Sequence, residues 1–335
     1  LNPGALPLYG GIVPGKTVLI LLAAGKGTRF GTNPKCIQPV CGVPLSRHTI
    51  DAFRRASHSP VICLVGYRHE EVMGALGEDN IYVRSDDPAG GTAFATWEAF
   101  SVAELEEHDP LLIIGMGDRV VPTSVFERLL YAHGEGDNEA GLTFLTAEYE
   151  TPHNNGRGRI LRDGDGRVER IVEQRDIELE EDPLVRSTLS SLTECNCPLY
   201  AVRAKKLKQA LAAVTSDNAQ QQFYLTDIVT ALRSGGEELR TVTVTPSEPE
   251  YDLLCSDVTR AEDLALLEGV MSTTAGVEAL EASQARRAAL RLAQGRSAGQ
   301  IASVAKQLEE LSAYLENNPT GFRPDLPLAV GISGG

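Results

Sequence analysis

Three short apolar runs constrain the fold of this chain more than any other feature. They cover residues 18–22, 61–65 and 111–114. Continuous runs of this length are typical of strands buried on both faces, as in a parallel sheet. Segments with helical patterns, at 44–56, 69–76 and 92–105, alternate with these runs and with a short apolar segment at 81–83. The alternation predicts an α/β fold with a Rossmann-like, doubly wound sheet.

The middle of the chain has a different pattern, which predicts a mixed sheet. Strands are expected at 141–148, 159–162 and 167–173, and the turn sequence at 163–166 joins the last two as a hairpin. The remaining elements expected before residue 270 are helices at 204–214, 224–234 and 259–270 and a strand at 241–245.

Composition divides the 335 residues into three parts. Residues 1–16, rich in Gly and Pro, predict an irregular arm. Residues 17–270 carry the α/β pattern, and residues 271–335 form a C-terminal extension and tail. Within the extension, apolar residues recur at helical spacing over 277–315, which predicts an amphipathic helical segment. Such a segment packs on its own domain or on a partner subunit, and we expect a homodimer that loses its partner when 277–335 are deleted.

Charge and cysteine usage narrow the classes of function. The formal net charge of −15 disfavours binding to nucleic acid or to an anionic membrane surface, whereas a small anionic ligand needs only a few local cations. No apolar run reaches the roughly 18 residues of a membrane span, and residues 1–9 lack the features of a signal peptide. The cysteines form no CxxC pair, so we expect reduced, mostly buried thiols in a cytoplasmic protein.

The segment after the first apolar run carries the clearest chemical signal. Residues 22–29 read LAAGKGTR, and Pro34-Lys35 follows. Small residues let the backbone approach a nucleotide closely, and their amides can donate to phosphate oxygens. Arg29 can hold two oxygens at once, whereas Lys35 acts as a point charge. The nucleotide-binding residues expected here are Leu22, Ala23, Ala24, Gly25, Gly27 and Thr28.

A second phosphate-loop pattern lies upstream, at Gly10-x4-Gly15-Lys16-Thr17. A loop of that kind follows a strand and opens a helix. Here an apolar strand follows Thr17, and Gly- and Pro-rich sequence precedes Gly10, so the context is reversed. An ATPase based on Lys16 and Thr17 is therefore disfavoured, and Lys16→Ala is expected to leave nucleotide turnover intact.

The LAAGKGTR and Pro-Lys motifs resemble those of the sugar-1-phosphate nucleotidyltransferases, and in particular of the uridylyltransferase half of bifunctional N-acetylglucosamine-1-phosphate uridylyltransferase. The resemblance spans about residues 17–270. Further segments that resemble the family follow in the same order along the chain: GGTA at 90–93, GD at 117–118, GRGRI at 156–160, IVE at 171–173, ECN at 194–196, and DNAQ to YLTDI between 217 and 228.

The resemblance implies a role for each of these segments. Arg29, Lys35 and Asp118 would be catalytic, Gly91 and Thr92 would contact the base, and the acceptor would meet Gly158, Glu173, Asn196 and Thr226. The phosphate oxygen of a sugar-1-phosphate is already anionic, so it can attack the α-phosphorus in line without a general base, and pyrophosphate leaves. Catalysis then consists of positioning and charge neutralisation, with Mg²⁺ as the cofactor.

Two acidic residues are candidate Mg²⁺ ligands. Asp118 follows the run at 111–114 and should lie at the same sheet edge as the glycine turn, where a carboxylate can hold Mg²⁺. The family's second ligand is an Asn whose position matches Thr259, a poor Mg²⁺ ligand. Asp257 is two residues away and chemically suitable, so it is the preferred candidate; the alternative is that Asp257 caps the following helix.

Departures from the family affect the base and the acceptor. The uridylyl enzyme reads uracil with a Gln whose position matches Asp86 here, or Asp87 if the count slips by one. A carboxylate only accepts hydrogen bonds, which suits the two adjacent donors of guanine, so Asp86 favours GTP over UTP. The alternatives are an exposed loop Asp and a UTP-dependent enzyme that acts on a hexose-1-phosphate.

On the acceptor side, Arg157 replaces a family Tyr, Cys197-Pro198 replaces Thr-Gly, and Pro122 follows Asp118 two residues later than in the family. Another hexose phosphate or a cyclitol phosphate therefore remains open as the acceptor. A non-catalytic nucleotide-sugar-binding regulator is the rival class of function, because fold alone does not separate the two. The presence of Arg29, Lys35 and Asp118 together favours the enzyme.

Overall fold

The structure, a computed structural model, describes most of the chain between residues 17 and 272. The described residues are 17–25, 27, 30, 33–85, 90–102, 104–151 and 156–272. The expected arm at 1–16 and the expected helical segment at 277–315 lie outside them. So do three residues of the predicted site, namely Thr28, Arg29 and Asp86.

A nine-stranded mixed sheet forms the centre of the fold. Its main path runs β11-β7-β10-β6-β1-β4-β5, and the β8–β9 hairpin extends from β10. The strands are β1 (Thr17–Ala23), β4 (Val61–Val65), β5 (Ile81–Arg84), β6 (Leu111–Met116), β7 (Leu142–Glu148), β8 (Arg159–Arg162), β9 (Val168–Val172), β10 (Glu194–Arg203) and β11 (Leu239–Val244). Two short strands, β2 (Pro39–Val40) and β3 (Val43–Pro44), form a separate ribbon.

Strand direction determines where a ligand can bind. β1 pairs in parallel with β4 and β6, and β4 pairs in parallel with β5. β10 runs antiparallel to both of its main neighbours, β6 and β7, which makes the sheet mixed. The carboxyl ends of β1 and β6 therefore meet at one edge, the edge at which open α/β sheets bind ligands. The predicted α/β, doubly wound mixed sheet is confirmed.

Helices cover both faces of this sheet. Alternate residues of β1 enter different cores, with Val18 and Ile20 on one face and Leu19 and Leu21 on the other. The first face packs against α3 (Thr92–Glu98), α4 (Glu104–His108), α8 (Ala204–Leu211) and α9 (Ile228–Ser234). The second face packs against α1 (Leu45–Ser57), α2 (His69–Leu76), α5 (Thr123–His133) and α10 (Tyr251–Cys255). Burial on both faces explains why β1 reads as a continuous apolar run.

The helix predicted over 92–105 is interrupted. α3 ends at Glu98, a 3-10 turn covers Ala99–Ser101, Val102 is extended, and α4 begins at Glu104. In an uninterrupted helix of 3.6 residues per turn, Phe100 and Leu105 would point about 140° apart. The break lets both side chains enter the same core, where Leu105 is fully buried.

Several elements were not predicted from the sequence: α5, α6 (Gln174–Leu179), α7 (Pro183–Ser190), α10 and β10. β10 contains Pro198, which cannot donate to a ladder, and its register with β7 shifts between Cys197 and Tyr200. Each helix in the described part of the chain is too short or too polar to cross a bilayer. All the cysteines are free thiols, as expected, and four of them are buried.

Candidate active site

A cavity of about 460 Å³ opens at the carboxyl edge of β1 and β6. It brings together many of the residues that the sequence predicted for the nucleotide, the metal and the acceptor. The predicted residues that line it are Leu22, Ala23, Ala24, Gly25, Gly27, Lys35, Gly91, Thr92, Asp118 and Glu173. Segments that are far apart in the chain therefore form one site, as the parallel order of β1 and β6 requires.

Close packing behind the glycine turn depends on Gly117. Its amide donates to the carbonyl of Leu22 at 2.9 Å, and its own carbonyl accepts the Ser46 hydroxyl at 2.5 Å. A Cβ on Gly117 would lie 3.0 Å from the Cβ of Ala23 and from Ser46 Oγ. The missing side chain therefore lets the ends of β1 and β6 approach each other beneath the cavity.

The glycine turn itself contains residues with different constraints. Gly27 has φ +56° and accepts a hydrogen bond from the Phe30 amide at 2.7 Å, so its left-handed conformation closes the turn. Gly25 is exposed, and a Cβ placed on it would meet no described atom within 4 Å. The open space beside Gly25 belongs to the cavity and is available to a ligand.

Lys35 and Asp118 form an ion pair in this cavity. Lys35 begins a 3-10 turn at Lys35–Ile37, and its Nζ donates to Asp118 Oδ2 at 2.5 Å. The same ammonium donates to the carbonyl of Val258 at 2.8 Å. The two side chains are 18% and 38% exposed, so an incoming phosphate can reach the pair.

The chemistry of Asp118 fits Mg²⁺. Its carboxylate lies in the cavity beside the glycine turn, and Mg²⁺ is commonly held by one or two carboxylates together with substrate phosphates. The described residues contain no group of three or more His, Cys, Asp or Glu side chains arranged to hold a metal. A shared site of Asp118 and phosphate oxygens is the arrangement that these residues allow.

Asp257 has different surroundings from those expected of a metal ligand. Its Oδ1 lies 2.8 Å from Arg157 Nη2 and 2.5 Å from Arg119 Nη1, and its Oδ2 accepts from Arg157 Nε at 3.1 Å. Asp257 is not among the residues that line the cavity. The capping alternative also lacks support, because the Asp263 carboxylate accepts the amides of Thr259 and Arg260 before α11 (Ala261–Ser272).

Arg157 is buried, with 5% of its surface exposed. Besides Asp257, it donates to Cys197 Sγ at 2.8 Å and to the carbonyl of Leu254 at 2.9 Å. Burial disfavours a charged guanidinium, but the neighbouring Cys197 and Asp257 outweigh it and raise the pKa of Arg157 above its ordinary value. Arg157 is therefore a permanent buried cation.

On the acceptor side, Glu173 lines the cavity and accepts the Thr226 hydroxyl at 2.8 Å. Burial raises the pKa of Glu173, the Thr226 hydrogen bond lowers it, and the charges of Asp176 and Asp227 raise it further. Burial and the charge of Asp176 also raise the pKa of Asp227 to about 6. This cluster of carboxyls can accept hydrogen bonds from hydroxyl groups.

Asn196 and Gly158 form a second pair. The Asn196 amide donates to the carbonyl of Gly158 at 2.9 Å, and a Cβ on Gly158 would lie 2.7 Å from Ile171 Cγ2. Asn196 Nδ2 donates to the Tyr200 hydroxyl at 2.8 Å, and its buried Oδ1 has no partner among the described residues. Neither Asn196 nor Gly158 lines the cavity directly.

A backbone clamp joins the segment at 90–93 to the segment at 222–225. The Ala93 amide donates to the carbonyl of Phe223 at 2.9 Å, and the Phe223 amide donates to Gly90 at 3.1 Å. The Leu225 amide donates to Thr92 Oγ1 at 2.9 Å. The predicted base-contacting residues are thus fixed against the loop that carries the acceptor-side residues.

Comparisons with known proteins agree with this geometry. Residues 19–154 match the MobA-like NTP transferase domain. The bifunctional protein GlmU of Geobacillus sp. (strain WCH70) is 34% identical over 222 residues, which is 66% of this chain and 45% of the relative. GlmU of Latilactobacillus sakei is 36% identical over 221 residues, 65% of this chain and 44% of the relative. The resemblance to the sugar-1-phosphate nucleotidyltransferases is confirmed. The chain spans slightly less than half the length of these relatives.

Solved structures of other proteins support the fold. The inositol-1-phosphate CTP transferase from T. maritima superposes with a TM-score of 0.52 at 15% identity, over 77% of this chain and 97% of the other. At this identity the likeness concerns the fold alone.

Some residues that line this cavity were missed by sequence reasoning. Cys36, Met116, Gln220, Gln222 and Tyr224 also line the cavity. Three of these lie within or beside the family-like segment at 217–228, which was the available signal. Tyr224 is 8% exposed, and its hydroxyl has no hydrogen-bond partner among the described residues. Cys36 is buried beside Lys35, and burial raises the pKa of its thiol to about 12.

Proposed function

We propose that this domain transfers a nucleoside monophosphate from a nucleoside triphosphate to a sugar-1-phosphate or cyclitol-1-phosphate and releases pyrophosphate, with Mg²⁺ as cofactor. The observation that carries the proposal is the Lys35–Asp118 pair beside the glycine turn, in the same cavity as Glu173. The Lys35 ammonium, the Asp118 carboxylate and the open backbone of the glycine turn can bind a triphosphate and its metal ion. The Glu173 carboxyl can bind the hydroxyl groups of an acceptor.

The open backbone around Gly25 and Gly27 gives phosphate oxygens access to amide donors. Lys35 carries the ammonium that can turn from Asp118 to the phosphates, and Arg29, by its place in the motif, supplies a second cation. Mg²⁺ at Asp118 would supply further charge neutralisation. Glu173, held by Thr226, can accept a hydrogen bond from an acceptor hydroxyl. These residues hold the acceptor phosphate and the α-phosphorus in line, which is the main requirement of phosphoryl-type transfer.

For the base, we propose that Asp86 favours guanine. Its carboxylate can accept from both the N1–H and the 2-amino group of guanine, whereas uracil offers a single donor between two acceptors. The position of Asp86 before the Gly91–Thr92 segment, which lines the cavity, supports this assignment. A site that makes such paired hydrogen bonds discriminates by about 10⁴-fold or more against a ligand that cannot form them.

The experiment measures pyrophosphate release with Mg²⁺ for each of the four ribonucleoside triphosphates and dTTP against a panel of hexose and cyclitol 1-phosphates. Asp118→Asn tests the site, and Asp165→Asn, in an exposed hairpin turn, is the matched control. We expect turnover with GTP, loss of turnover in Asp118→Asn, and normal turnover in Asp165→Asn.

Asp86→Asn should reduce the preference for GTP over UTP. Turnover of the wild type with UTP alone would contradict the role of Asp86 and support the uridylyltransferase alternative. Nucleotide binding without turnover across the whole panel would contradict an enzyme for these acceptors and favour the non-catalytic regulator.

A further inference from the structure

A continuous chain of contacts leads from a buried arginine to the ammonium of Lys35. Arg157 holds Asp257 with two nitrogen atoms, at 2.8 and 3.1 Å. Val258 follows Asp257 directly, and its carbonyl accepts a hydrogen bond from Lys35 Nζ at 2.8 Å. Lys35 in turn donates to Asp118 at 2.5 Å. The segment at 257–258 therefore contacts Arg157 in the protein interior and Lys35 in the cavity.

Arg119 completes the connection from the other side. It follows Asp118 in the chain, and its Nη1 lies 2.5 Å from Asp257 Oδ1. Asp257 therefore ties the loop that carries Asp118 to the backbone carbonyl that holds Lys35. A carboxylate shared by two guanidiniums has a fixed orientation, because the forked donors restrict it on two sides.

Two residues that replace family residues, Arg157 and Cys197, meet at this point. Arg157 contacts Cys197 and Asp257, and Arg119 contacts the same Asp257. A buried charge persists only where its partners compensate for the lost hydration. These substitutions therefore form one structural unit rather than separate changes of the acceptor pocket.

We propose that Arg157 is a positioning residue, which acts through Asp257 to fix the carbonyl of Val258 and thereby holds the Lys35 ammonium beside Asp118. The effect of Arg157 on catalysis rests on the proposed function, whereas its effect on the position of Lys35 does not. Asp257 is in this account a shared anchor for both charged groups of the site and not a metal ligand. Displacement of a reacting or stabilising group by about 1 Å commonly costs about 100-fold in rate.

The test compares Arg157→Met and Arg157→Lys with Arg203→Met. Arg203 is the matched control because it also binds a carboxylate, that of Glu139, with two nitrogens, and a backbone carbonyl, that of Asp109. It lies at the end of β10 away from Cys197, which contacts Arg157. One readout is the rate at which the Lys35 amine is acetylated in competitive labelling, which needs no substrate. The other is kcat and KM for nucleotidyl transfer.

For Arg157→Met we expect about tenfold faster acetylation of Lys35, because the Val258 carbonyl, which accepts from Nζ at 2.8 Å, no longer holds the side chain in place. We expect kcat to fall about 10- to 100-fold with the acceptor KM within about threefold of wild type. Arg157→Lys should recover part of kcat, because it restores charge without the fork. Arg203→Met should leave Lys35 labelling and kcat at wild-type values.

Unchanged Lys35 labelling in a folded Arg157→Met protein would overturn the proposal, and so would an equal increase in Arg203→Met. If Arg157→Met does not fold, Asp257→Asn, which keeps the shape of the anchor, provides the same two readouts. Absence of transfer by the wild type would contradict the proposed function alone, because the labelling still decides whether Arg157 positions Lys35.

Discussion

Replacement of Gly91 by alanine tests the clamp between the base side and the acceptor side of the cavity. Gly91 has φ +99°, a backbone conformation that residues other than glycine rarely adopt. A Cβ at this position would lie 2.6 Å from the carbonyl oxygen of Phe223 and 2.9 Å from its amide nitrogen. The carbonyl also accepts the Ala93 amide, so relief of the contact would stretch that hydrogen bond.

Three effects set the expected loss of stability. The positive-φ, extended conformation of Gly91 (φ +99°, ψ 173°) costs about 1–3 kcal/mol for alanine. Overpacking against backbone costs about 1–3 kcal/mol, since a backbone atom cannot rotate away as a side chain can. The weakened hydrogen bond adds about 1 kcal/mol. We expect Gly91→Ala to lower the free energy of unfolding by roughly 3–7 kcal/mol.

Gly166→Ala separates the two main effects. Gly166 has φ +78° in the turn between β8 and β9, and a Cβ there would meet nothing within 4 Å. It should therefore lose only the conformational part, about 1–2 kcal/mol. Urea unfolding monitored by circular dichroism measures both variants, and nucleotide affinity is then measured under conditions where both are folded. Equal losses of stability in the two variants would refute the close approach of residues 91 and 223.

Three further predictions concern the cavity and the carboxyl groups beside it. Gly25→Ala should have a free energy of unfolding within about 0.5 kcal/mol of wild type, since its Cβ meets no described atom within 4 Å. Calorimetry should nevertheless show that its nucleotide affinity is reduced about tenfold or more. Asp118→Asn should lower kcat at least about 100-fold with little change in the urea midpoint, because the Lys35 pair is partly exposed; a kcat near wild type would contradict its role. Asp227→Asn should be more stable than wild type at pH 7. The pKa of Asp227 is raised from 3.8 to about 6, so the stability of the wild type falls as pH rises from about 4 to about 6. In urea unfolding across that range, the free energy of unfolding should depend less steeply on pH in the variant.

The sequence predicted the part of the fold that depends on local pattern. The continuous apolar runs identified β1, β4 and β6, because strands buried on both faces need no polar alternation. The glycine turn could be placed at the sheet edge for the same reason, since parallel strands end together. Asp118 was therefore expected at the same sheet edge as the glycine turn. The structure adds that its Oδ2 lies 2.5 Å from Lys35 Nζ.

Contacts between distant segments were harder to predict. β10 was missed because Pro198 interrupts the pattern of a strand, and only pairing with β6 and β7 establishes it. The partners of Asp257 are 100 or more residues away along the chain, and nothing in its local sequence indicates two arginines. Local chemistry suggested a metal ligand, and the ion pairs of Asp257 with Arg157 and Arg119 depend on contacts that only the fold creates.

In the proposed reaction, the phosphate oxygen of the acceptor attacks the α-phosphorus of the nucleotide. The most direct measurement uses an acceptor 1-phosphate labelled with ¹⁸O on its non-bridging oxygens, with GTP and Mg²⁺, and follows the products by ³¹P NMR and mass spectrometry. We expect a nucleoside diphosphate-linked product that keeps all of the label, with one ¹⁸O between the two phosphorus atoms, and unlabelled pyrophosphate. Label in the pyrophosphate, or pyrophosphate release at the same rate without acceptor, would contradict it.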